Sequence, residues 1–146
     1  MMKRFSSLLR NGAGNVTIEL ALLAPILAAM LIGLVDLGNA FSDKLKLEQI
    51  AQRSIERVMQ NSFKVSQAPT LKAEAEAAAG SGSTATVSWW LECNAVKQTA
   101  ANAYTSTCPD GQQYARYVQL EITKSYPAMI APTSWTLKGK AGIRIQ

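Results

Sequence analysis

Hydrophobic and polar positions fall into three regimes along the chain. From Ile18 to Phe41 it reads IELALLAPILAAMLIGLVDLGNAF, without a charged residue between Leu20 and Val35. A helix needs about 20 mostly apolar residues to cross a bilayer, so this stretch predicts a membrane-spanning helix. Residues 42–63 contain neither Gly nor Pro, and the helix is expected to continue through them. At about 100° per residue, Phe41, Leu45, Ala51, Ile55, Val58, Met59 and Phe63 fall within one broad stripe, with Ile50 outside it. Such a stripe reads as a core-facing surface against a sheet, or else as a surface for a partner helix. Ser66-Gln67-Ala68-Pro69 should end this helix. Thr70 can cap a short second one running to Ala79, before Gly80-Ser81-Gly82-Ser83 stops it.

Beyond that point the period changes to two. Ala85, Val87, Trp89, Leu91 and Cys93 alternate with Thr84, Thr86, Ser88, Trp90 and Glu92, which predicts a half-buried strand with Trp89 inward and Trp90 outward. Val118, Leu120 and Ile122 mark a second strand. A third carries Trp135, Leu137, Gly139, Ala141, Ile143 and Ile145 on one face. Three strands with one apolar face need a cover, which the long helix can supply. The expected fold class is α+β, a long N-terminal helix packed on a small antiparallel sheet.

At 146 residues, with 48% hydrophobic and 17% charged, the chain is sized for one folded core. Its net charge of +5 divides as +3 over residues 1–17, −2 over 18–41 and +4 over 42–146. In the last portion Lys and Arg are scattered among Glu and Thr. That scatter lacks the clustered basic and aromatic footprint of a nucleic-acid binder, so no nucleic-acid partner is expected. Histidine is absent and there are two cysteines. Neither a Cys/His zinc site nor a triad with a His base can be assembled within the chain. No Ser–Lys or carboxylate pair stands at a recognisable spacing, and neither an enzyme nor a cofactor is expected.

Lys3, Arg4 and Arg10 precede the apolar stretch, so the positive-inside rule places the N-terminus in the cytoplasm and the following domain outside. A cleaved secretory signal is the competing reading. Its apolar region usually runs about 7–15 residues, shorter than this one. Moreover, the small residues Leu27-Ala28-Ala29 that resemble a cleavage site fall in the middle of the run.

Glu19 stands at the edge of the apolar stretch, and a carboxylate inside a membrane helix costs about 2.5–3.5 kcal/mol on insertion scales. The leader ends in Asn11-Gly12-Ala13-Gly14. A cut after Gly14 would create a new terminus at Asn15, four residues before Glu19. Positions i and i+4 share a helix face, so the new ammonium and the carboxylate can approach, within one subunit or between neighbours. The plain alternative is an interfacial carboxylate that reaches water without a partner.

A short basic leader ending in Gly, followed by Asn15-Val16-Thr17-Ile18-Glu19 and an apolar helix, resembles a type IV prepilin signal. More narrowly, Gly14, Val16, Glu19, Ala24-Pro25, Leu27, Gly33, Asp36, Gly38 and Phe41 resemble the TadE-like pseudopilins, minor pilins of the tight-adherence (Tad, Flp-type) pilus. The likeness covers about residues 12–41. Two positions depart from the family pattern: Leu20 stands where an aromatic residue often follows the glutamate, and Asn39 where a basic residue follows the second glycine. The resemblance implies a pilin-like fold and removal of the leader by a membrane-embedded prepilin peptidase. Further implied partners are the inner membrane, other pilin subunits and the Tad assembly machinery, with Glu19 recruiting or registering subunits.

The expected organisation is a cytoplasmic leader over 1–14, a transmembrane helix over 15–41 and an extracytoplasmic domain over 42–146. Pro25 lacks an N–H and should kink the helix or loosen a turn. Asp36 is expected to be solvated near the outer interface. In an oxidising compartment Cys93 and Cys108 would form a disulfide worth about 3 kcal/mol; two free thiols would suit a cytoplasmic domain instead. The polar loop between them is expected at the surface, and Trp90 and Tyr104 are the candidate subunit contacts. The functional expectation is a minor pilin of a Tad pilus supporting initiation, assembly and surface adhesion. Its alternative is an unprocessed single-pass anchor carrying a periplasmic binding or scaffold domain.

Overall fold

The computed structural model describes residues 12–99, 103–109, 111–129 and 133–145. Its first element, α1, is a 50-residue helix over Gly12–Asn61. At 1.5 Å per residue it is roughly 75 Å long. The helix passes through Pro25 as one continuous element. A 3₁₀ turn over Val65–Gln67 leads into α2, Ala68–Ala79. The second helix thus starts at Ala68, earlier than the expected Thr70 cap. Pro69 occupies its first turn, where a missing N–H removes no intrahelical bond.

Four antiparallel strands follow: β1 over Ser83–Cys93, β2 over Val96–Lys97, β3 over Tyr114–Pro127 and β4 over Ser134–Ile145. They lie in the order β2-β1-β3-β4. The long strands agree with the period-two reading, and the α+β class with the expectation from the sequence. Sequence reading missed β2, because two residues carry no periodicity. It arises from a two-residue hairpin in which Asn94 and Ala95 both have positive φ, 52° and 66°. This is the backbone sense that matches a hairpin turn to the twist of its strands.

One face of the sheet packs on the two helices. Val118, Leu120 and Ile122 of β3 are fully buried at its centre, against Leu47, Ala51, Ile55 and Val58 of α1 and Leu71 and Ala75 of α2. The buried stripe of α1 differs from the predicted one. Ala51, Ile55 and Val58 belong to it, but Phe41, Leu45 and Met59 face outward, while Ala40 and Leu47 are buried. Ile50, the predicted outlier, packs against the core. The closest approach of sheet and helix is set on the strand side, by a residue without a side chain. Gly139 of β4 crosses α1 so closely that a Cβ there would overlap the Leu47 carbonyl and come within 2.6 Å of the Glu48 backbone nitrogen.

Candidate assembly site and membrane boundary

Every described side chain of α1 from Ile18 to Val35 is exposed apart from the half-buried Gly33. Leu, Ile, Met and Val there point in all directions, including Leu22, Leu23, Leu27, Met30, Leu31 and Leu34. The helix is long and apolar enough here to cross a membrane. A helix that is apolar all round and buried against nothing needs a non-aqueous surrounding. One N-terminal helix can therefore anchor the protein in a membrane.

Glu19 is exposed at the start of this surface. Gly14 and Asn15 lie on the same unbroken helix, so the backbone sets positions 15 and 19 one turn apart. The basic leader residues Lys3, Arg4 and Arg10 lie outside the described residues.

The other end of the span is marked by Asp36, which is 1% exposed. This corrects the expectation of a solvated carboxylate, and the cause is the β3–β4 hairpin folding back onto the helix. Tyr126 donates its hydroxyl proton toward Asp36, with its oxygen 2.8 Å from Oδ1 and 3.2 Å from the backbone carbonyl oxygen. The Met129 backbone N–H donates to Oδ2 at 2.9 Å. A buried carboxylate is tolerable when its oxygens are hydrogen-bonded in this way. The hydrogen bond to Asp36 holds the Tyr126 hydroxyl above its ordinary pKa, with burial and the charges of Asp36 and Asp43 acting in the same direction. Tyr126 also stacks on Trp135, centroids 6.2 Å apart. One layer further from the span, Lys124 pairs with Asp43 at 3.4 Å. The domain therefore meets α1 from Asp36 onward, before the expected boundary at residue 42.

At the far end of the sheet Cys93 and Cys108 are joined in a disulfide, Cα atoms 5.7 Å apart. The bridge ties the β2–β3 connection to the end of β1, with Leu91 beneath it. Tyr104, in a 3₁₀ turn over Ala103–Thr105, does not lie at the surface. It is 8% exposed, packed edge-on against Phe63 at 5.8 Å, and its backbone carbonyl accepts a hydrogen bond from Arg116 Nε at 2.8 Å. Burial raises the Tyr104 pKa and the nearby Arg116 charge partly offsets this. An aromatic ring inside a polar segment is drawn into the core by its own apolar area, so Tyr104, expected as a subunit contact, is instead a core residue.

Trp90 does face the side of the sheet away from the helices, as alternation predicted. It is half-buried in a row of its own neighbours. Tyr117 stacks on it at 5.3 Å, the Lys97 ammonium sits 4.4 Å from its ring centroid, and Glu92 accepts its Nε1–H at 2.9 Å. The registered pairs Trp90–Tyr117 and Tyr117–Arg144 extend this row across the sheet. No sequence signal pointed to Tyr117 or Tyr126, since their partners are set by strand register and by the fold-back of the hairpin.

The exposed span, the glutamate at one end of it and the domain closing on the other define a segment that can be compared with known families. Residues 14–55 match the family model of TadE-like proteins. The match extends past the residues that carried the resemblance and into the part of α1 that packs on the sheet. It relates this segment of the chain to TadE-like proteins. No curated protein and no solved structure matches the chain.

Proposed function

We propose that this protein is a minor pilin or pseudopilin of a Tad-type pilus. The observation that carries the reading is the Gly14-to-Glu19 spacing inside the TadE-like segment, at the head of a helix that exposes apolar side chains on all sides. In this reading the basic leader stays in the cytoplasm and α1 crosses the inner membrane. A prepilin peptidase cuts after Gly14, and the domain lies outside. The new Asn15 ammonium stands one turn from Glu19, giving that carboxylate a partner in its own subunit or the next. Assembly machinery then draws the helix from the bilayer into a bundle with other subunits, where the same apolar surface is buried a second time. The subunit supports initiation and assembly of a pilus used for surface adhesion.

The test is intact-mass measurement and N-terminal sequencing of the membrane-fraction protein, with and without an active prepilin peptidase. A chain starting at Asn15 only when the peptidase is active supports the proposal. A chain that keeps its leader under both conditions overturns it in favour of an unprocessed membrane-anchored scaffold. Glu19→Ala should leave domain stability unchanged and abolish incorporation into pili, read by immunodetection of sheared fibres.

A further inference from the structure

Asp36 poses a problem of position. Glu19 and Asp36 are roughly 26 Å apart along the axis of α1, and Ile18 to Leu37 spans roughly 29 Å, close to the ~30 Å thickness of a bilayer's hydrocarbon core. If Glu19 sits at one interface, Asp36 falls at the opposite edge of the hydrocarbon, about 10 Å short of the first charged layer at Asp43, Lys44 and Lys46. A carboxylate at that depth needs its oxygens satisfied by protein. Tyr126 and the Met129 N–H supply those bonds. The hairpin end that delivers them must therefore sit at the same depth as Asp36.

What that hairpin end presents outward suits the location. Met129 is 72% exposed. Along the sequence no charge falls between Ser125 and Leu137. Tyr126 and Trp135 stack beside Asp36, and aromatic residues of this type concentrate where a bilayer's hydrocarbon meets its headgroups. On α1 the neighbouring Leu37 and Phe41 are exposed as well. Basic and acidic side chains begin on both elements only one layer higher, at the Lys124–Asp43 pair. The order along the membrane normal is thus the same on helix and hairpin: apolar, aromatic, charged.

From this shared order we infer that the described end of β3 and start of β4, with Met129 exposed and Tyr126 and Trp135 behind it, form a second membrane contact. It is seated in the outer interface of the same bilayer that α1 crosses. Asp36 positions it, by holding the hairpin against the helix at that depth. The domain is then fixed to the membrane at two points, which restricts its tilt before assembly. The inference rests on α1 spanning the membrane, and the experiment separates the two claims.

Single cysteines are placed in the full chain at Met129, at Leu31 within the span and at Asn61, roughly 37 Å further along α1 than Asp36. The native cysteines remain bridged. Each variant is labelled with an environment-sensitive fluorophore and reconstituted into phosphatidylethanolamine–phosphatidylglycerol vesicles. Fluorescence is quenched by iodide from water or by nitroxide carried on the lipid chains. Leu31→Cys and Met129→Cys should both be quenched by lipid nitroxide, with iodide quenching several-fold below that of Asn61→Cys. If Leu31→Cys is lipid-quenched while Met129→Cys matches Asn61→Cys, the span stands and the hairpin contact is overturned. If Leu31→Cys is itself quenched by iodide and not by lipid, the span fails and the hairpin inference with it. Adding Asp36→Asn to Met129→Cys should raise iodide quenching toward the Asn61→Cys level. No rise would overturn the positioning role of Asp36 alone.

Discussion

The two halves of α1 meet opposite surroundings. From Leu20 to Val35 the helix is apolar on every side and exposed; from Ala40 to Val58 one stripe of Ala40, Leu47, Ala51, Ile55 and Val58 is buried while charged residues take the outer face. Both halves form without a break in one helix, so secondary structure does not distinguish them. What distinguishes them is whether polar residues leave an outer face for water. The first half has none, and its surface requires lipid or other helices. The second half is completed by its own sheet. Asp36 marks the change, because it is the first buried side chain along the described chain and its ligands come from the domain.

Substitutions of similar size in the two regions sharpen the contrast. Leu120→Ala empties a fully buried site in β3 and should cost about 2–5 kcal/mol in a denaturant titration of the detergent-solubilised protein. Leu27→Ala in the exposed half should change the same titration by no more than about 0.5 kcal/mol. Equal losses from both would mean that the exposed half is packed against protein. Replacing Cys93 and Cys108 together with Ser should lower stability by about 3 kcal/mol, visible as a lower midpoint that reducing agent no longer shifts.

At the junction of the halves, Asp36→Ala removes the carboxylate that accepts from the Tyr126 hydroxyl and the Met129 N–H, leaving the hydroxyl only the longer contact to the backbone carbonyl of residue 36. It should cost about 1–3 kcal/mol. Hydrogen exchange should rise at residues 126–129 and remain unchanged at Val118–Ile122. The smallest effect is alkaline. Tyr126 and Tyr104 both have pKa values raised in the folded state, Tyr126 first by its bond to Asp36 and Tyr104 first by burial. Their stabilising contribution is complete below the unfolded value of about 10 and is lost as pH rises through the folded values. Stability measured against pH should therefore fall at the alkaline end. Tyr126→Phe should remove part of that fall and leave the part due to Tyr104.

Where alternation or composition carried the information, sequence and structure agree. The β1, β3 and β4 faces follow from period-two alternation, and the disulfide pairs the two cysteines that an oxidising compartment would bridge. The buried stripe of α1 was only half legible. Periodicity locates large apolar side chains, whereas which of them the sheet covers depends on where β4 crosses the helix, at Leu47 opposite Gly139. Tyr104 was misplaced for a related reason: a polar segment does not reveal that one of its rings turns inward against Phe63.

The sequence by itself determined a span long enough for a bilayer, a glutamate at its head five positions after Gly14, the helix that continues beyond the span, and three strands with one apolar face. These depend on local order along the chain, which composition and period record. Only the tertiary structure decided that Asp36 is buried, that the β3–β4 hairpin returns to the end of the span, and that Trp90 joins a row with Lys97 and Tyr117. Each of those facts joins residues far apart in the chain, Asp36 and Tyr126 among them. Strand register and helix docking set such neighbours, and no single stretch of sequence contains both partners.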